Sequence, residues 1–175
     1  MELATDHDIY WKVQHEVIQK NARLLSMRSA FFDMMNNAYA HSMASRVRRL
    51  TDRDQRTLSL RTMIEWVMKH PDLWRGKLTP RDLKADLVLL DKTCNKVKKY
   101  VDQFVAHHDR NSSAAVPTHR DLNDAVDTIV DVFRRYHVLL TDSDIEPVLQ
   151  YLGHPLAIFT FPWLGTNSPS DRGFD

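Results

Sequence analysis

The length, composition and charge of this chain exclude several classes of protein. Its 175 residues, 43% of them hydrophobic and 27% charged, suffice to bury one core without disulfides. With 24 Lys and Arg against 23 Asp and Glu, the net charge is near zero, so any nucleic acid must bind at a local patch. The only cysteine, Cys94, excludes an intrachain disulfide and a centre built from several cysteines.

The same composition indicates where the protein resides. The segment from Met1 to Asp8 is acidic and polar, where a signal peptide would carry basic and then apolar residues. Apolar runs such as Leu87 to Leu90 are far shorter than the ~20 residues that a membrane span requires. A single cysteine fits a reducing compartment. We therefore expect a cytoplasmic protein with no transmembrane helix.

The first half of the chain predicts three helices. From about Asp8 to Leu25, and again from about Arg28 to Leu50, apolar residues recur at the spacing of an amphipathic helix. A polar break over residues 51–56 ends the second helix. Ser59 then begins a shorter helix, which Pro71 ends because proline cannot continue it.

A capping box, Thr79-Pro80-Arg81-Asp82, predicts the start of the fourth helix. Its apolar residues are spaced alternately by four and three, which indicates a seam that packs against one partner. The seam consists of Leu83, Leu87, Leu90, Cys94, Val97, Val101 and Phe104.

A second capping box, Thr118-His119-Arg120-Asp121, predicts another long helix. A short terminal helix from about Ser143 to Leu152 ends at Gly153. No alternating run long enough for a sheet occurs. The sequence therefore predicts an all-α, single-domain bundle of five or six helices over residues 1–153 and an irregular tail over 154–175.

The densest polar cluster, His107, His108, Asp109 and Arg110, follows the seam-bearing helix. In a functional interpretation, one imidazole serves as general acid or base while a neighbouring cation stabilises a phosphate. In a structural interpretation, these side chains complement the dipole of a helix C-terminus and bond its last carbonyls. Composition alone favours the structural interpretation, and both stay open.

A second, basic cluster runs from Arg46 to Arg53 at the end of the second helix and could bind phosphates. It equally suits a solvated helix end, with Asp52 and Asp54 neutralising much of its charge. Earlier on this helix are His41 and Asn36. Each is better explained as a hydrogen-bonded polar group of the core or of an interface than as a catalytic residue. Scattered glycines, and the absence of two histidines four residues apart, predict neither a phosphate loop nor a metal site.

At these two clusters the sequence resembles the HEPN superfamily (higher eukaryotes and prokaryotes nucleotide-binding), in particular its abortive-infection AbiU-like branch. Arg49-Leu50-Thr51-Asp52, followed by Thr57 to Leu60, is similar to the segment joining that family's second and third helices. The stretch from Asp102 to Asp109 is similar to the family's Ala-His-Arg-Asp signature at the end of a core helix. The resemblance covers roughly Tyr10 to Gly153.

The resemblance implies a helical bundle, often a homodimer, in bacterial defence or toxin–antitoxin systems, with RNA and an antitoxin or other protein as partners. Many relatives are metal-independent ribonucleases that use an arginine, four to six intervening residues and a histidine. His107 matches that histidine, but the corresponding arginine positions hold Asp102, Val101 and Tyr100. A lysine, Lys98 or Lys99, or an arginine of the basic cluster would have to supply the cation.

The resemblance also implies roles for individual residues. In an active enzyme, His107 would be general acid or base, Asp102 would orient it and His108 would assist. Arg46 or Arg49 would steady the phosphate, and Lys99 and Arg110 would contact the RNA. No cofactor or metal is expected. One alternative is a catalytically inactive module that binds protein or RNA, with residues 107–110 as a helix cap and interface. A further alternative is a purely structural helical subunit of a larger complex.

Overall fold

The computed structural model describes residues 2–22, 24, 30–105, 115–143 and 154–160. This part of the chain is helical apart from loops and one isolated bridge between Arg75 and Leu78, which confirms the all-α prediction. The α-helices are α1 (Glu2–Lys12), α2 (Ala30–Leu50), α3 (Leu60–Met68), α4 (Pro71–Trp74), α5 (Pro80–Tyr100) and α6 (His119–Thr141). Two π-helical segments, Val13–Ile18 and Val101–Val105, extend α1 and α5, and a 3-10 turn spans Ala157–Thr160.

The structure corrects the predicted start of the first helix, which begins at Glu2 rather than near Asp8. The reason is that Leu3 lies two helical turns before Tyr10, on the same face, and both side chains are buried. The short helix α4 was also not predicted. The proposed terminal helix falls, beyond Ser143, outside the described residues.

Capping boxes begin three of the helices. The two predicted ones are confirmed: Thr79 accepts a hydrogen bond from the backbone N–H of Asp82 and precedes α5, and Thr118 accepts one from Asp121 and precedes α6. The third joins Ser59 to Thr62 at the start of α3. It differs from the usual pattern because a threonine takes the place of the acidic or amide residue.

The predicted seam of α5 forms the centre of the core. Its members Leu83, Leu90, Cys94, Val97 and Val101 are buried, and α5 packs against α6, α2 and α3. Burial raises the pKa of the Cys94 thiol to about 12, so this cysteine is a packing residue rather than a thiolate. The facing residues of α6 include Leu122, Val126, Ile129 and Tyr136.

A buried carboxylate also links α5 to α6. Asp86 is ion-paired with Arg135 and accepts a hydrogen bond from the Tyr136 hydroxyl at 3.1 Å. Burying a carboxylate is tolerated only where such partners satisfy it, so these bonds define how the two helices align. None of the helices in the described ranges is long and apolar enough to cross a membrane.

Candidate functional site at the junction of α2 and α5

An arginine of α2 is ion-paired with the end of α5. Arg48 lies in the last turn of α2, and its Nε donates a hydrogen bond to Oδ1 of Asp102 at 2.8 Å. Its Nη1 lies 2.5 Å from Oδ2 of Asp52, just beyond the end of α2. The two ion pairs use Nε and Nη1, and Nη2 takes part in neither. The guanidinium is therefore held in one orientation between two carboxylates.

The ion pair between Arg48 and Asp102 is accessible to solvent. The hydrogen bond to Asp102 is the main cause that raises the pKa of Arg48, with Asp52 contributing further. The pKa of Asp52 is lowered mainly by the backbone N–H of Asp54 and then by Arg48. Because the side chain of Asp102 is 49% exposed, solvent screens the pair and a competing anion can reach it.

A second cation reaches the same helix end from α5. Nζ of Lys98 donates a hydrogen bond to the carbonyl oxygen of Thr51 at 3.3 Å, where an ammonium complements the dipole of α2. Burial is the main cause that lowers the pKa of Lys98, and the nearby Arg53 adds to it. Lys98 is thus bound to the α2 terminus, whereas Lys99 is exposed.

Two residues before Asp102, another side-chain pair joins the two helices. The hydroxyl of Tyr100 lies 3.0 Å from Nε2 of His41. His41, Ser45 and Arg48 follow one another at intervals of four and three residues, so they lie on one face of α2. His41 is exposed and not a core group.

The structure separates the residues that the sequence placed together. Arg46 is directed to α1, with Nη2 at 2.8 Å from Asp6 and Nη1 at 3.9 Å from Glu2. Arg49 is exposed on α2. Asp102 is bound by Arg48. The other predicted site residues, His107, His108 and Arg110, lie outside the described residues.

Sequence reasoning missed Arg48 and Tyr100 as individual residues. Tyr100 and Asp102 occupy two of the three positions where the family's arginine would stand, and both bond to α2 instead. The third position, Val101, is buried in the seam, as predicted, and offers no room for a charge. The seven-residue interval between His41 and Arg48 is the signal that could have pointed to this face of α2.

An apolar pocket lies between the end of α2, the following loop, α3 and α6. Its volume is about 580 Å³. Leu58 is fully exposed at its rim, and Trp66 is 51% exposed. The lining residues are Leu50, Gln55, Thr57, Leu58, Ser59, Leu60, Thr62, Met63, Trp66 and Phe133.

The fold is an all-helical bundle, as expected of the HEPN class. The model of the AbiU2 family (HEPN_AbiU2) matches residues 2–159. The chain therefore belongs to the AbiU2 abortive-infection family of the HEPN superfamily, as the resemblance predicted. A search of curated proteins and a search of solved structures each found no match.

Proposed function

We propose that this protein is a metal-independent endoribonuclease of a bacterial defence or toxin–antitoxin system. In this proposal His107 transfers a proton and Arg48 stabilises the scissile phosphate. The observation that supports it most is the 2.8 Å hydrogen bond from Arg48 to Asp102. Asp102 stands five positions before His107, with four residues between them, where a relative would carry its arginine, and it binds an arginine from another helix.

The chemistry needs only groups that the chain possesses. The 2′-hydroxyl of RNA attacks the adjacent phosphorus, and the product is a cyclic phosphate. A guanidinium presents paired N–H donors that match phosphate oxygens, and ion pairs on Nε and Nη1 orient it before substrate binds. We assign this role to Arg48 rather than Arg46, because Arg48 is paired with Asp102 at the end of α5, whereas Arg46 is paired with α1.

The remaining predicted residues take supporting roles in the proposal. Arg49 and Lys99 are exposed on the two helices that form the junction, where they would contact the phosphates of a longer RNA. His108 and Arg110 would assist close to His107. Asp102 would act through Arg48, which it binds.

The test is cleavage of RNA by purified protein in the presence of a chelator, with detection of 2′,3′-cyclic phosphate ends. Arg48→Ala should lower the rate by about 10²-fold to 10³-fold, as expected for loss of an electrostatic contact to the transition state. Arg48→Lys should not restore it, because an ammonium lacks the paired donors. Expression of the unaltered protein should slow the growth of a host, and His107→Ala should abolish both the cleavage and this growth defect.

The matched control is Arg56→Ala, because Arg56 is also ion-paired with a near neighbour, Asp54, but lies on the loop before α3. This variant should cleave like the unaltered protein. RNA left intact by the unaltered protein, or full activity in Arg48→Ala, would contradict the proposal.

A second candidate function is a catalytically inactive module that binds a protein, and the apolar pocket favours it. Exposed Leu58 and Trp66 beside a cavity of about 580 Å³ are typical of a binding groove. In this case RNA should stay intact, and the protein should form a homodimer or copurify with an antitoxin or other partner. Leu58→Ser should weaken that association, whereas Leu140→Ser, an exposed leucine on α6, should not.

A further inference from the structure

The pairing of His41 with Tyr100 carries an inference that rests on the proposed function and extends it. We infer that His41 is the general acid of the cleavage reaction: it protonates the 5′-oxygen of the leaving nucleotide, while Tyr100 positions its ring. His107 is then the general base. The observation behind this inference is an exposed imidazole on the same face of α2 as Arg48, held by the end of α5 at 3.0 Å.

The spacing on α2 places both side chains along one surface of the helix, which a bound RNA strand would follow. Seven residues of an α-helix advance about 10.5 Å, so His41 and Arg48 project from the same face two turns apart. Both side chains are attached to the end of α5, one through Tyr100 and one through Asp102. A phosphodiester bound by Arg48 would thus meet an imidazole on one side.

The other histidines in the described part of the chain have different surroundings. His7, His15 and His119 lie around the aromatic residues of α1. His70 bonds to the carbonyl oxygen of Trp66 and packs against its ring, and the last two, His137 and His154, bond to the backbone of nearby residues. Of this set, only His41 shares a helix face with Arg48.

The hydrogen bond to Tyr100 orients the ring for donation. With the Tyr100 hydroxyl as donor, Nε2 of neutral His41 accepts and the ring proton is on Nδ1. In the imidazolium form both nitrogens carry protons, Nε2 donates to the tyrosine oxygen and Nδ1 is the donor to substrate. The charged side chains of the junction include Arg48 from α2 and Asp102 from the end of α5, which are paired with each other.

The proposed step balances without any further reactant. His107 takes the proton of the 2′-hydroxyl, and the oxygen forms a bond to phosphorus. The bond from phosphorus to the 5′-oxygen breaks, and that oxygen takes the Nδ1 proton of His41. The reaction leaves His41 neutral and His107 protonated, and exchange with solvent restores both.

The experiment compares two substrates that differ only in the leaving group. A dinucleotide needs its 5′-oxygen protonated, whereas uridine 3′-(p-nitrophenyl phosphate) releases a stable phenolate that needs no proton. His41→Ala should lower kcat on the dinucleotide by about 10²-fold or more and leave the p-nitrophenyl substrate nearly unchanged. His107→Ala should lower the rate on both substrates.

Two further variants separate catalysis from structure. Tyr100→Phe removes only the hydroxyl, so kcat on the dinucleotide should fall about 10-fold with KM unchanged, and the p-nitrophenyl substrate should be unaffected. His15→Ala removes an exposed imidazole elsewhere and should behave like the unaltered protein on both substrates. Thermal melting of each variant shows that it is folded.

The outcomes distinguish this inference from the proposed function. Equal losses on both substrates, or no loss on either, in His41→Ala would overturn the assignment of the general acid while RNA cleavage itself stands. A lack of cleavage of both substrates by the unaltered protein would overturn the proposed function, and the inference with it.

Discussion

In two places a hydrogen bond between a tyrosine and a histidine joins α2 to another helix, and the two places differ in burial. At the N-terminal junction, where α1 meets α2 and α6, the hydroxyl of Tyr39 lies 2.7 Å from Nδ1 of His7 and the ring of Tyr39 is buried. At the junction with α5, the hydroxyl of Tyr100 lies 3.0 Å from an exposed His41. The tyrosine–histidine pair is therefore part of the packing at the N-terminal junction, whereas it is accessible to solvent at the junction with α5.

The surroundings of the N-terminal pair show how it is used. The rings of Tyr10 and Tyr39 stack with centroids 3.6 Å apart and an interplanar angle of 3°. Oδ1 of Asn36 accepts hydrogen bonds from Tyr10 and from Gln14, each at 3.0 Å. Burial raises the pKa of Tyr39, which keeps its phenol protonated. With its polar groups satisfied internally, this junction serves to attach α1.

The largest expected effect is a loss of stability when the N-terminal junction is altered. Tyr39→Ala should lower the free energy of unfolding by about 3–5 kcal/mol, because it removes a buried aromatic ring and leaves a cavity. Urea denaturation measures the change. Tyr100→Ala is the matched control and should cost clearly less, because Tyr100 is only partly buried. Equal losses would show that the two junctions do not differ as described.

A smaller effect concerns the pH dependence of the N-terminal junction. Burial lowers the pKa of His7 below its ordinary 6.5, against the opposing influence of Asp127 and Asp8. Below about pH 6.5 the unfolded chain therefore binds more protons than the folded one, and stability should fall as the pH drops from there toward the folded-state pKa. Melting temperatures between about pH 7.5 and about pH 5.5 measure this decline, which His7→Gln should reduce. An undiminished decline in that variant would assign it to other groups.

The smallest effect on stability is expected at the junction with α5. Arg48→Ala should change the free energy of unfolding by less than about 1 kcal/mol, because its ion pairs are exposed to solvent. The same variant is expected to lose most of its RNA cleavage. A loss of several kcal/mol in urea denaturation would instead show that Arg48 holds the bundle together.

Local patterns predicted much of the fold. The capping boxes at Thr79 and Thr118 and the seam of α5 depend on residues close in sequence, and the structure confirms them. The start of α1 was missed because Leu3 alone marks its first turns, and one apolar residue is too weak a signal. On α6, Leu139 is buried whereas the adjacent Leu140 is exposed, because successive helical residues point in different directions.

The candidate site was predicted only in outline. The basic cluster from Arg46 to Arg53 was identified, yet its three arginines on α2, at positions 46, 48 and 49, could not be told apart by composition. Arg46 bonds to α1, Arg48 to α5, and Arg49 is exposed. The reason is that successive helical residues point about 100° apart, so their partners depend on which helices pack on each side.

By itself the sequence determined the helical architecture, the core face of α5 and membership of the AbiU2 family, because periodicity, caps and motifs are read from neighbouring residues. Only the tertiary structure decided that Arg48 and His41, rather than Arg46, meet the end of α5. Such pairs join residues more than fifty positions apart, and their choice depends on how rigid helices cross, which no local pattern encodes.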